Sequence, residues 1–287
     1  MKIHGLQKMT LLDFPGRVAC TVFLGGCDLR CPFCHNYELV DGTAPAVMDD
    51  AELLSFLKKR QGLLDGVAIT GGEPCLRSDL PELLRQIRAL GYAVKLDTNG
   101  FHPQLLRQIL QEGLVEYVAM DIKNSPAKYS LTAGFAGQDN AVDAGQDAAP
   151  AAEKLDTVDA RQQDAGDAGQ QDAGDAGQHA AAPAAGSSPA LDLALLQESI
   201  ALVMEHAGDT FDYEFRTTVV KELHEAADFE EIGKMIAGAR HYFLQSFTDR
   251  DSVPFEGFHA PPAEDLRLYA QIMRRYVQDV QIRGVDI

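Results

Sequence analysis

Long apolar runs are missing from this 287-residue chain. No stretch approaches the roughly 18–20 consecutive apolar residues of a membrane-spanning helix, so no span is expected. The first residues lack the basic and apolar regions of a secretory signal, and a cytoplasmic protein with reduced thiols is expected. Basic residues are scarce: 25 Lys and Arg against 43 Asp and Glu, a formal net charge of −18. That balance speaks against a nucleic-acid binder that works by phosphate attraction, and no nucleic-acid partner is expected. Tryptophan is absent, which excludes nothing. Cysteines number five. An odd count in a chain of this length without a secretory signal does not suit a disulfide framework.

The charge is uneven. Residues 136–190 hold ten acids and two bases. This stretch is almost wholly Ala, Gly, Asp, Gln and Pro, and Asp-Ala-Gly recurs, as at Asp164-Ala165-Gly166 and Asp172-Ala173-Gly174. With so few large apolar residues it cannot offset its ordering entropy by burial, so a disordered insertion is expected over 136–190, with an interaction tail as the alternative. The apolar content elsewhere is ample for one large α/β core.

Three cysteines, Cys27, Cys31 and Cys34, fall inside eight residues as C-x-x-x-C-x-x-C. Three thiolates on a short loop can hold three irons of a four-iron, four-sulfur cluster. No fourth cysteine sits at a matching spacing, so one iron would stay open to a small molecule. A zinc site is the rival: three thiolates plus His35 or a water make four ligands. Gly25 and Gly26 precede the loop and let the backbone turn tightly.

Alternation follows. Val18–Leu24 reads as a buried strand ending at the cysteine loop. A helix is expected from Asp49 or Asp50 to Arg60, with Leu53, Leu54 and Leu57 on one face. Val67–Thr70 reads as a strand, then a helix from Ser78 or Asp79 to Leu90 with Pro81 in its first turn. Strand Ala93–Leu96, helix Pro103–Glu112 and strand Tyr117–Met120 complete four strand–helix units, which imply a parallel sheet with helices outside. Beyond the insertion come a helix from Leu191 with Leu193, Leu196, Ile200 and Met204 on its apolar face, strand Asp212–Val220, helix Ala226–Ala237, strand His241–Phe247 and helix Ala263–Val277. Residues 1–135 and 191–287 thus read as two parts of one body with six strands, short of the eight of a closed barrel.

Polar motifs fall at successive strand ends: the cysteine loop, Gly71-Gly72-Glu73-Pro74, Asp97-Thr98-Asn99-Gly100 and Asp121-Ile122-Lys123. In barrel-type α/β folds sites gather there. Each motif alone is a turn or a solvated pair; four in succession are harder to explain so. Together with Cys34-His35-Asn36 they resemble the radical S-adenosylmethionine (SAM) superfamily, and within it the glycyl-radical-enzyme activases, of which pyruvate formate-lyase activating enzyme is a member. The opening Gly5–Gly16 looks like the branch that activates anaerobic ribonucleoside-triphosphate reductase. The resemblance covers about residues 1–135 strongly and 191–260 more loosely.

The resemblance implies an open partial (β/α)6 barrel, with Cys27, Cys31 and Cys34 binding the cluster. Phe33 resembles the residue packed near the adenine. Gly71, Gly72 and Glu73 resemble the strip that meets SAM's amino group. Asp97 with Thr98 and Asp121 resembles a monovalent-cation site, and Asn99 belongs to the same SAM-binding stretch. Lys123 and Arg216 resemble the basic groups near SAM's carboxylate and ribose. A flavodoxin or ferredoxin would reduce the cluster, SAM would be cleaved to a 5′-deoxyadenosyl radical, and hydrogen would be taken from a glycine of a partner enzyme. Two other readings are a radical SAM enzyme acting on a small molecule such as a deazaguanine precursor, and a non-enzymatic zinc or iron–sulfur module. Cys20 is expected to be a buried small hydrophobe and Cys75 to pack near the cavity. His35, His102 and His259 are expected to be structural.

Overall fold

The computed structural model describes residues 1–134, 191–253 and 255–285. The expected insertion over 136–190 lies outside the described residues. In chain order the strands are β1 (Lys2–Ile3), β2 (Gly5–Thr10), β3 (Ala19–Leu24), β4 (Met48–Asp49), β5 (Gly66–Gly71), β6 (Ala93–Thr98), β7 (Tyr117–Asp121), β8 (Asp212–Val219), β9 (His241–Ser246) and β10 (Asp279–Arg283). The helices are α1 (Tyr37–Asp41), α2 (Asp50–Lys58), α3 (Leu80–Ala89), α4 (Pro103–Gln111), α5 (Tyr129–Ala133), α6 (Leu193–His206), α7 (Ala226–Met235) and α8 (Ala263–Met273).

Eight strands form one sheet in the order β10-β9-β8-β7-β6-β5-β3-β2. From β3 to β10 every neighbour is parallel, and β2 alone runs antiparallel, on β3. Each of the six strands β3, β5, β6, β7, β8 and β9 is followed by a helix, which gives the six β/α units of an open barrel. The sequence reading missed both edge strands. β2 carries no clean alternation, and β10 follows α8 without the glycine or proline that would punctuate it. The pair β1–β4 is a separate two-stranded ribbon.

The parallel strands are buried on both faces and so lack a polar side. Outward residues such as Cys20, Val22, Leu24, Val67, Ile69, Val94, Leu96 and Val118 pack with helix residues such as Leu53, Leu84, Ile109 and Ile200 in the main core. The inward face carries small residues. Ala19, Ala93 and Ala119 meet Phe14 and Tyr117 in a second cluster. Phe14 enters from the β2–β3 connection, its ring centroid 6.3 Å from that of Tyr117. A Cβ on Gly66 would strike the Phe14 ring. The β2–β3 connection therefore supplies a plug for the amino-terminal mouth, while Leu12 beside it is 91% exposed.

Local signals set the helix ends. Asp49 and Glu52 form a reciprocal capping box at the start of α2, at 2.9 and 3.0 Å. At α3 the expected Asp79 cap makes no side-chain hydrogen bond, and the proline in the first turn, which needs no donor partner, starts the helix instead. On α2, Leu53 and Leu57 are buried and Leu54 only partly so. On α6 the buried residues are Leu196, Ser199, Ile200 and Val203, and the expected Leu193 and Met204 are half-buried at the edge of that face, packed against the core.

Candidate active site

The carboxyl ends of six strands surround one cavity of about 220 Å³. Its wall includes Cys27, Cys31, Phe33 and Cys34 after β3, Gly71, Gly72 and Glu73 after β5, and Asp97, Thr98 and Asn99 at the end of β6. Asp121 and Lys123 of β7, Arg216 and Thr218 of β8 and Gln245 of β9 close it. All twelve site residues expected from the sequence line this space. The volume falls below the roughly 300–1,000 Å³ common for ligand sites, and the long side chains of Lys123 and Arg216 form part of the wall.

The glycines permit the close approach of two loops. Gly71 sits at φ +122°, and a Cβ there would strike the backbone of Leu24. A Cβ on Gly72 would strike the carbonyl of Gly26. The contact is sealed by Gly72 N donating to Leu24 O at 2.9 Å and Glu73 N to Gly26 O at 2.7 Å.

Each part of the cysteine loop has its own tether. Beside Cys27, the Asp28 carboxylate accepts from Asn99 Nδ2 at 2.8 Å and pairs with His102 Nε2 at 3.1 Å. Against burial, those two partners hold Asp28 below the usual carboxylate range. Near Cys31, Arg30 N donates to Ala133 O at 2.9 Å, and its guanidinium to Cys27 O at 2.6 Å. Beside Cys34, His35 Nε2 meets Thr248 O at 2.7 Å, and the His35 ring stacks on Phe247 with centroids 5.4 Å apart. Asn36 Nδ2 donates to Gly71 O at 3.2 Å.

Burial raises all three thiols: Cys31 to about 12, and Cys27 and Cys34 also upward. Without a metal they stay protonated at neutral pH. Among the described residues no three Cys, His, Asp or Glu side chains converge as ligands of a single ion. His35, the side chain a zinc centre would draw on as its fourth ligand, is turned to Thr248. A four-iron cluster puts each thiolate on a separate iron, so three thiols spread along one cavity wall fit it.

Glu73 is 1% exposed and its carboxylate is occupied. It accepts from Cys75 N at 2.9 Å, Thr98 Oγ1 at 2.8 Å and Asn99 N at 2.6 Å. It therefore joins the β5 and β6 ends from within. Asp97 and Asp121 are likewise engaged. Arg216 bridges them, with Nη2 3.1 Å from Asp97 Oδ2 and Nε on Asp121; Lys95 pairs with Asp97, and Lys123 Nζ lies 2.8 Å from Asp121. Asp121 and Arg216 are register partners on adjacent strands. Burial opposes charge on both acids, but the surrounding cations hold their carboxyls below the usual range. Phe33 meets Phe247 edge-on, with centroids 6.5 Å apart.

Lys95 and Gln245 were not expected. Lys95 stands two residues before Asp97, on the same face of β6, and a charge inside an apolar strand was the available signal. Cys20 is buried in β3. Cys75 is buried too, and it lines a different groove of about 690 Å³ with Phe101, His102 and Leu195, which holds none of the twelve. His259 pairs with Glu222 at 2.8 Å on the surface.

Residues 21–137 match the profile of the Radical SAM superfamily, which marks a radical SAM domain over that stretch. That superfamily works with a four-iron, four-sulfur cluster and SAM. Over nearly the whole chain there is a further similarity, to a candidate glycyl-radical enzyme activating enzyme of Methanocaldococcus jannaschii. It is 24% identical over 292 residues, which are 99% of this chain and 96% of that protein. The pyruvate formate-lyase-activating enzyme of Clostridium pasteurianum is 31% identical over 43% of this chain and 52% of its own length. The 7-carboxy-7-deazaguanine synthase of Thermococcus kodakarensis is 28% identical over 39% of this chain and 52% of its length. Among solved structures, Streptococcus suis SuiB bound to precursor peptide SuiA shares the fold at a TM-score of 0.55 and 12% identity, over 92% of this chain and 48% of that one. The chain thus spans about half the length of several proteins it matches. No helix among the described residues is long and apolar enough to cross a membrane.

Proposed function

We propose that this protein is a glycyl-radical-enzyme activating enzyme, with an anaerobic ribonucleoside-triphosphate reductase as its partner and flavodoxin or ferredoxin as its electron donor. The observation that carries the reading is the convergence of the three cysteines with the ends of β5 to β8 on one cavity. A zinc module has no use for that convergence.

When bound, the cluster supplies an electron to the SAM sulfonium. The protein's own part is to bind, orient and exclude water. Cys27, Cys31 and Cys34 hold the cluster. The backbone of Gly71 and Gly72 offers acceptors to an ammonium, while Glu73 fixes that strip rather than reaching the ligand. Lys123 and Arg216 are the cations on the cavity wall that suit a ligand carboxylate. A monovalent cation between the two acids would have to displace the Arg216 guanidinium. Phe33 gives an apolar face beside the cysteine loop.

The end-to-end similarity to the archaeal activase candidate favours activation of a protein over small-molecule chemistry, for which the matches cover less than half of the chain. The test is anaerobic reconstitution with iron and sulfide, then incubation with SAM, a reductant and the candidate reductase. A glycyl radical read by electron paramagnetic resonance is the expected result. SAM cleavage with no radical on the reductase removes that partner. Turnover of a deazaguanine precursor would install the small-molecule reading. Absence of any SAM-dependent change in the cluster spectrum would remove the radical SAM reading altogether.

A further inference from the structure

We propose that Asn99 and His102 are positioning residues for Cys27, acting through Asp28. The inference deepens the reading above and rests on Cys27 as a cluster ligand.

The argument begins with what Asn99 has left to offer. Its backbone N donates to Glu73 at 2.6 Å, its Nδ2 to Asp28 at 2.8 Å, and its Oδ1 accepts from Phe101 N at 3.0 Å. The residue is buried and its side chain is spent inside the protein. Asn99 therefore serves as a junction between the loops after β3, β5 and β6. His102, three residues on, takes the other oxygen of Asp28. Two side chains from one loop thus grip both oxygens of one carboxylate, which limits its rotation.

Asp28 directly follows Cys27, and Cys27 Sγ lies 3.9 Å from its Oδ1. The sulfur also accepts from Leu29 N at 3.4 Å. Bonds from Glu73 N to Gly26 O and from Arg30 to Cys27 O hold the backbone on either side. Only the Asp28 grip fixes the segment from the β6 loop. Cys34 has an independent tether through His35 and Asn36. Loss of His102 should therefore loosen Cys27 and leave Cys34 in place.

The experiment is native-state iodoacetamide labelling of the metal-free protein, with the rate at each cysteine read by peptide mass spectrometry. Because a hydrogen bond to a charged group is lost, His102→Ala should label Cys27 about tenfold faster, with Cys34 unchanged. His102→Gln keeps a side-chain N–H donor and should restore the slow rate. Asn99→Ala, the second variant, should act on Cys27 in the same direction. An unchanged Cys27 rate in both alanine variants overturns the proposal. So does an equal rise at all three cysteines, or a failure of glutamine to restore the rate. Labelling needs no iron, so it can fail while the cluster reading stands. Conversely, a wild-type protein that takes up no iron would remove the cluster reading without touching the labelling result.

Discussion

Arg216→Met tests the ion network at the heart of the cavity. Arg216 bridges Asp97 and Asp121, and the three side chains are 15%, 16% and 25% exposed. Breaking a buried pair by removing one partner costs about 3–5 kcal/mol. Here the loss should be smaller, because Asp97 keeps Lys95 and Asp121 keeps Lys123. Two charge-assisted hydrogen bonds go, partly offset by relief from burying the guanidinium, so about 2–3 kcal/mol is expected. For a body of this size that is a fall in Tm of about 4–12 °C. The assay is thermal and urea unfolding of the metal-free protein, with Asp121→Asn and the double variant closing a cycle. The sign of the pH dependence follows from the carboxyls, whose folded pKa values are depressed. Their contribution is complete above the unfolded value of about 3.9 and is lost as pH falls through the lower folded values. The Arg216→Met deficit should therefore be flat from pH 8 to about 5 and shrink only below about 4. Additivity of the two substitutions within about 0.5 kcal/mol would refute the bridge.

Three further outcomes are expected. Alanine at Cys27, Cys31 or Cys34 should each abolish SAM cleavage, whereas Cys20→Ala and Cys75→Ala should retain iron and turnover; iron loss in Cys75→Ala would contradict the ligand assignment. Burial pushes the Glu73 carboxyl up to about 7 against the hydrogen bonds from Asn99, Cys75 and Thr98. A raised acid leaves the folded state holding the extra proton between the unfolded value, about 4.3, and about 7, so stability should fall by about 4 kcal/mol as pH rises across that window. Glu73→Gln should remove this slope, and parallel urea-unfolding curves for the two proteins against pH would contradict it. Gly72→Ala should drive its Cβ into the Gly26 carbonyl and lower both Tm and iron content, at about 1–3 kcal/mol; an unchanged Tm would mean that the two loops do not touch.

The sequence by itself determined the unit count and which strand-end motifs line one cavity. Apolar runs ending in glycine or polar residues, alternating with amphipathic helices, pointed to six β/α units, and a parallel sheet places all six carboxyl ends on one side. Motifs that punctuate strand ends therefore had to share a face. The edge strands were not legible, because β2 and β10 owe their existence to a neighbour's unpaired backbone more than to their own pattern. The burial of Phe14 was not legible either, since nothing local says that a barrel mouth lies behind it. Roles within the site also needed the fold. Glu73 looked like a ligand contact, yet the β6 end supplies two of the three donors that occupy it. Asp97 and Asp121 looked like a cation site, yet Arg216, some hundred residues on, lies between them. An ionisable side chain takes its role from the charges and donors around it, and here those arrive on strands far apart in sequence.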